Sequence, residues 1–296
     1  MRLEGIHHVT CITGDAPGNV DFYTRVLGLR MVKKTVNFDQ PDVYHLYYGD
    51  EHGTPGSILT FFEFPGAAPG RAGEGMVHAI QWRVGDSAAI DFWEHRLGDA
   101  GTAAERDGDV LLFRDPEGLA HELHVAGGED APLAAQATGI PAEHAIQGFH
   151  GVRAYASIPD DSIALLQALG FRREGEHGHW LLAGEQRHAH LLYERPPTER
   201  PRQGAGTVHH VAWSAADDAE LDHFRRAASG AGMHATSIID RQYFHSVYFR
   251  EPSGVLFELA SRDIGFAYDE PAQTLGEALK LPPQYEQRRL QKGICA

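Results

Sequence analysis

Cysteine is nearly absent from this chain. Of 296 residues only Cys11 and Cys295 are cysteines. That leaves no disulfide framework and no Cys-x-x-Cys pair for a closed structural zinc site, and it fits a reducing cytosol. Basic residues are also scarce. Lys and Arg number 26 against 41 Asp and Glu, a formal net charge of −15, with no Lys/Arg-rich block. A nucleic-acid partner is not expected, because phosphate binding needs a basic footprint. No apolar run approaches a membrane span, and the N-terminus enters a strand pattern without a charged-then-apolar leader. The expectation is a cytoplasmic protein with no nucleic-acid or membrane partner, compatible with a homo-oligomer. Hydrophobic content of 42% and charged content of 23% are those of an ordinary globular chain, and the length suffices for two domains.

Histidine, by contrast, is abundant, with 19 in all. A His-His pair occurs twice, in Ile6-His7-His8-Val9-Thr10 and in Val208-His209-His210-Val211-Ala212. Each lies in a run rich in Val and Ile, which predicts a strand. Strict alternation of side chains would let only one His of each pair face a given site. His177, His179, His188 and His190 alternate along a polar hairpin around Gly178 and Gly184. They are not read as ligands, because nothing acidic stands at matching strand positions.

The chain repeats one plan four times: a strand, an amphipathic helix, then several strands. The modules begin at Gly5, Val77, Gly148 and Val208. In the first, Val20, Tyr23 and Leu27 share a helix face that Gly28 stops; Gly98 and Gly170 are expected to stop the second and third helices. A helix over 217–228 is expected in the fourth. Pro65–Gly75 and Glu194–Gly206, rich in Pro, Gly and Arg, read as linkers. Residues 127–145 read as a further loose connection, and the tail after Ile264 as irregular structure with one short helix. The fold class is α+β, with an N-terminal half at 1–145 and a C-terminal half at 146–296.

Aligning the four module starts separates the histidines. His7, His78, His150 and His209 occupy one position in every module. The next position holds His8 and His210 in modules one and four but Ala79 and Gly151 in modules two and three. A residue kept in two repeats and replaced by small ones in the others needs a local reason. His8 and His210 are therefore assigned as metal ligands, with His7 and His209 beside them. Glu258 follows Pro252-Ser253-Gly254 at the offset at which Glu122 follows Pro116-Glu117-Gly118. Pairing module one with module four unites His8, His210 and Glu258. Two histidines and one carboxylate are the facial ligand set of a non-haem Fe(II) site with open positions. Glu122 is then a leftover, either a buried paired carboxylate or a surface residue. The remaining cleft, between modules two and three, is expected to be metal-free and lined by Ala79 and Gly151.

The segments Gly5-Ile6-His7-His8-Val9-Thr10, Thr207-Val208-His209-His210-Val211-Ala212, and 240–252 followed by Gly254-Val255-Leu256-Phe257-Glu258 resemble the vicinal oxygen chelate superfamily. Within it the chain is similar, over essentially its whole length, to the ring-cleaving dioxygenases that act on hydroquinones. The resemblance implies four βαβββ modules forming two open barrels. It puts metal ligands on His8, His210 and Glu258, and pocket residues on His7, Thr10, His209, Arg241 and Tyr248. It also implies Fe(II), with Mn(II) as the alternative, and as substrates a small aromatic diol and O2. Chemistry gives these residues work. A bound cation lowers a phenol's pKa, His7 or His209 could take its proton, and Arg241 and Tyr248 could meet negative charge as it develops. A salt bridge to Asp240 or Asp263 would be the ordinary use of Arg241, and a satisfied half-buried hydroxyl that of Tyr248. Two other functions fit the same scaffold: a metal-dependent isomerase or lyase of the glyoxalase type, and a binding protein that sequesters an aromatic ligand.

Overall fold

The computed structural model describes residues 1–126, 130–175 and 178–287; His177 and Cys295 lie outside them. Each module is a strand, a helical segment and three more strands. Module one has β1 (Ile6–Thr13), α1 (Ala16–Val20), β2 (Arg30–Val36), β3 (Tyr44–Gly49) and β4 (Ile58–Glu63). Module two has β5 (Val77–Val84), α2 (Ser87–Asp99), β6 (Ala104–Asp107), β7 (Val110–Arg114) and β8 (Ala120–Val125). Module three has β9 (Phe149–Tyr155), α3 (Ile163–Ala168), β10 (Arg172–Arg173), β11 (His179–Ala183) and β12 (His188–Glu194). Module four has β13 (Thr207–Ala215), α4 (Asp218–Gly230), β14 (Ile239–Asp240), β15 (His245–Arg250) and β16 (Leu256–Ser261).

Two eight-stranded sheets result. The first runs β14-β15-β16-β13-β1-β4-β3-β2 and the second β10-β11-β12-β9-β5-β8-β7-β6. Module four thus joins module one, and module three joins module two. Within a module the first and last strands pair in parallel; between modules the first strands pair antiparallel, β1 with β13 and β5 with β9. The halves 1–145 and 146–296 each give one module to each sheet.

Local chemistry explains the helices. Asp15, Asp86 and Asp217 cap α1, α2 and α4 by accepting the N–H of Gly18, Ala89 and Glu220. Three boundaries differ from the sequence reading. After α1 the chain widens into a π-helical turn at Asp21–Val26, so Phe22, Tyr23, Val26 and Leu27 are buried and Val20 is only partly so. α2 runs through Gly98 to Asp99, and it is Gly101 that takes the left-handed φ of +76°. The third helix, expected over 161–169, is α3 at Ile163–Ala168 alone, after a short 3-10 turn at Pro159–Ser162. The two linkers lie side by side, bridged at Pro69–Ala205 and Arg71–Arg202. The described part of the tail forms three short 3-10 turns, the last running into a helical turn at Glu286 and Gln287. It is tied to module one by Lys33, a fully buried cation that meets Asp269 at 2.7 Å and also Glu270. The Tyr285 hydroxyl adds a hydrogen bond to the Phe38 carbonyl at 2.7 Å. No helix among the described residues is long and apolar enough to cross a membrane.

The central strand pairs are irregular at four places, and these coincide with the repeated histidines. The β1–β13 register skips His7 and His209, and the β5–β9 register skips His78 and His150. Each of the four is the extra residue of a β-bulge, the device by which a strand re-aims a side chain beside a site.

Candidate metal centre

The bulges change what the His-His pairs can do. Alternation alone would send His7 and His8 to opposite faces. Instead His7 Nδ1 stands 3.0 Å from His8 Nδ1, and His209 Nδ1 stands 2.8 Å from His210 Nδ1. His7 Nε2 is 3.0 Å from the Ser261 carbonyl, which can only accept. Burial, then His8, pulls the His7 pKa down to about 3, so His7 is neutral. Its one proton is on Nε2, and its Nδ1 must accept from His8 Nδ1–H. That leaves His8 Nε2 a bare lone pair.

His8 Nε2, His210 Nε2 and a Glu258 oxygen then converge. His8 Nε2 is 3.3 Å from His210 Nε2 and 3.3 Å from Glu258 Oε2; His210 Nε2 is 2.9 Å from the same oxygen. All three residues are buried. Ser246 Oγ donates to Glu258 Oε1 at 2.5 Å, fixing the carboxylate, while Oε2 has no hydrogen-bond donor. Ligands held at right angles about 2.1 Å from a metal stand on the order of 3 Å apart, so the triangle has the dimensions of a facial set.

The cleft over this triangle is lined by Thr10, Asn37, Phe38, Asp39, His45, Tyr47, Phe62, Arg241, Phe244 and Tyr248. Thr10 and Tyr248 therefore lie with the triangle. Arg241 Nε meets the Tyr248 hydroxyl at 3.3 Å, and its guanidinium is held by Asp39 at 3.0 and 3.1 Å rather than by Asp240 or Asp263. Burial and nearby Glu258 push the Tyr248 hydroxyl above its usual pKa, so it is a donor. Gln242, beside Arg241, has a left-handed φ of +68°, a strained backbone next to the site. His209 flanks the mouth of the cleft with Arg241 and Tyr248; His7 does not line it.

Sequence reasoning missed His45 and Tyr47. On β3 they face the cleft in a chain of hydrogen bonds: Tyr47 hydroxyl with His45 Nδ1 at 2.8 Å, His45 Nε2 with Thr60 Oγ1 at 2.7 Å, and Thr60 Oγ1 to Thr10 Oγ1 at 3.0 Å. Burial holds His45 well below its usual pKa. A signal existed. Tyr47 pairs with Thr60 as Tyr248 pairs with Glu258, so extending the repeat to the third strand matches the two tyrosines.

With this geometry in hand, comparison with known proteins is informative. A family model, the Glyoxalase/Bleomycin resistance protein/Dioxygenase superfamily, matches residues 5–123 and 143–259. The chain belongs to that superfamily. A member from Bacillus subtilis (strain 168) named for ring-cleaving dioxygenase activity, MhqO, is 42% identical over 98% of this chain and 95% of its own. Chlorohydroquinone/hydroquinone 1,2-dioxygenase of Sphingobium indicum is 34% identical over 96% of this chain and 93% of its own. A crystal structure of a protein named for dioxygenase activity from Bacillus subtilis superimposes with a TM-score of 0.91 at 39% identity, covering 100% of this chain and 97% of that one.

The second sheet of this superfamily member has the same plan with other contents. Glu122 stands opposite Gln81, two residues past Ala79, as Glu258 stands opposite Ala212, two residues past His210. Glu122 is a buried, paired carboxylate: Arg153 Nε lies at 2.8 Å, Gln81 Nε2 at 2.9 Å and His124 Nε2 at 2.8 Å. Ala79 and Gly151 hold the positions of His8 and His210, and at Gly151 a Cβ would press on the His190 carbonyl at 2.4 Å.

Proposed function

We propose that the protein is an Fe(II)-dependent ring-cleaving dioxygenase that opens a substituted 1,4-hydroquinone between a hydroxylated carbon and its neighbour. The observation that carries this reading is the triangle of His8 Nε2, His210 Nε2 and Glu258 Oε2. Two imidazole nitrogens and a carboxylate oxygen face one another at 2.9–3.3 Å, and the His7 contact removes the proton from His8 Nε2. Buried lone pairs so arranged repel unless a cation lies between them. His8, His210 and Glu258 would hold Fe(II), which would lower the pKa of a phenolic oxygen and supply the redox chemistry that dioxygen needs. Mn(II) would suit the same donors.

The other residues take roles that follow from their contacts. His7 and His209 act through the ligands, holding His8 and His210 with Nδ1 protonated. A neutral His209 that accepts at Nδ1 presents Nε2–H, a donor at the mouth rather than a base. Burial, then His210, brings its pKa down to about 4, which also argues against proton uptake. Tyr248 and Arg241 supply donors to the bound ring oxygen and to charge that develops during oxygen reduction. Thr10 ends the chain from Tyr47 through His45 and Thr60, and offers a second hydroxyl to the ring.

Names of relatives point the same way, MhqO to ring cleavage and the Sphingobium indicum enzyme to hydroquinones. The test is anaerobic loading with ferrous ion followed by oxygen uptake on a panel of hydroquinones and catechols. Stoichiometric uptake with hydroquinones is the expected result. Turnover without oxygen uptake, supported by a redox-inert divalent metal, would favour a glyoxalase-type isomerase instead. Tight aromatic binding without turnover would favour a sequestering protein.

A further inference from the structure

The second sheet carries donors that the proposed reaction does not use. His179 on β11 and His190 on β12 bring Nε2 and Nδ1 to 2.9 Å of each other. Glu174, just after the two-residue strand β10, brings Oε2 to 3.9 Å from His190 Nδ1. One donor atom from each of the three lies within 4.8 Å of the other two. We propose that Glu174, His179 and His190 form a second metal site, on the outer edge of the second sheet, for a late first-row divalent cation of the Ni2+, Cu2+ or Zn2+ class.

Two observations support the site. First, the 2.9 Å separation of the two imidazole nitrogens is that of neighbouring ligands at right angles about 2.05 Å from a metal. Glu174 is a third of the way exposed, so its carboxylate can swing the remaining distance; among the described residues its other oxygen meets Arg172, at 3.6 Å. Second, a further imidazole beside the site is unsatisfied. The His150 ring is 4.4 Å from that of His190, and its buried Nδ1 has no hydrogen-bond partner. The donor set of two imidazoles, one carboxylate and no thiolate favours late first-row ions over Mg2+ or Ca2+, which prefer all-oxygen sites.

The site is separate from the triangle of the first sheet. Glu122 and Arg153, which occupy the inner part of the second cleft, already satisfy each other. A cation at the edge would tie β10 to the β11–β12 hairpin, linking metal binding to the order of that edge.

The test is metal stoichiometry. Metal-free full-length protein is dialysed against Zn2+, then separately against Ni2+, and bound metal per chain is measured. Wild type should hold two equivalents. The double variant His179→Ala/His190→Ala should hold one and keep iron-dependent oxygen uptake. His8→Ala/His210→Ala should also hold one, which reports the first site independently. One equivalent in wild type that is lost only with His8 and His210 would overturn the proposal, as would two equivalents in the His179/His190 variant. If that variant misfolds, Glu174→Gln decides. It should weaken the second equivalent by at least the roughly 10–100-fold typical of losing a residue that merely orients a ligand; an unchanged affinity would overturn the site.

Discussion

Arg153 Nε lies 2.8 Å from Glu122 Oε1, so the carboxylate at the register position of Glu258 in the second sheet carries a cation of its own. The second cleft answers with a guanidinium the charge that the first is proposed to leave to an ion. The consequence for stability is directional. Burial pushes the Glu122 pKa up, but His124, Gln81 and Arg153 outweigh it and hold it at about 2, below the unfolded value of 4.5. A depressed carboxylate pKa stabilises the fold fully above the unfolded pKa and loses that contribution as pH falls towards the folded one. At about 1.4 kcal/mol per unit, the contribution is on the order of 3 kcal/mol. Denaturant titrations should show Glu122→Gln destabilised by about that amount at pH 7, with the gap from wild type closing between pH 4.5 and pH 2. An equal gap at pH 7 and pH 2 would show that the loss comes from packing instead.

Removal of any one of His8, His210 or Glu258 should abolish tight iron binding while leaving the far-UV circular dichroism unchanged. Each supplies one corner of the triangle. His78→Ala and His150→Ala should retain iron, because those residues lie at the bulges of the other sheet. Metal analysis after anaerobic gel filtration decides this; a His210→Ala protein with full iron content would refute the ligand assignment.

His7 should act on metal affinity rather than on proton transfer. Loss of a residue that orients a ligating histidine costs roughly 10–100-fold in affinity, and His7→Ala should show a loss in that range. His7→Gln, which keeps an acceptor, should recover part of it. A His7→Ala protein that bound iron as tightly as wild type but had an altered pH profile of turnover would restore His7 as a base.

Arg241→Met and Tyr248→Phe should leave iron content near wild type and lower kcat by roughly 100-fold, the usual cost of losing one donor aimed at developing charge. Oxygen-electrode assays on iron-loaded protein at matched metal content make the comparison. Wild-type turnover in both would remove them from the reaction.

The module plan was legible because a strand, an amphipathic helix and further strands recur in every repeat. The pairing of modules was approachable because only one pairing unites His8, His210 and Glu258. Other features depend on what a one-dimensional pattern does not carry. The bulges at His7 and His209 are properties of two strands together, so strict alternation misplaced those side chains. Glu174 was invisible beside His179 and His190 because it is carried past a separate two-residue strand. Tyr47 is visible in principle through its match to Tyr248, but that match lies in the third strand of the repeat, away from the His-rich starts and the strand carrying Glu258. Gly98 was read as a helix stop because composition cannot tell a tolerated helical glycine from one with a left-handed φ.

The order of strands in the first sheet has a consequence for synthesis. The second sheet is built from one continuous stretch, residues 77–194, and all of its strands are present before β13 is made. The first sheet is not: β1 must wait with one edge bare until β13 arrives, some 202 residues after His8. A nascent chain ending near residue 206 therefore holds His8 alone of the three converging residues, and an open strand edge of the kind that invites misassembly. Glu258 comes later still, so a chain cannot take up its ion during most of its translation. Loading of the proposed metal becomes a step of the finished protein, and conditions that delay the last module should raise aggregation before they lower activity per folded molecule.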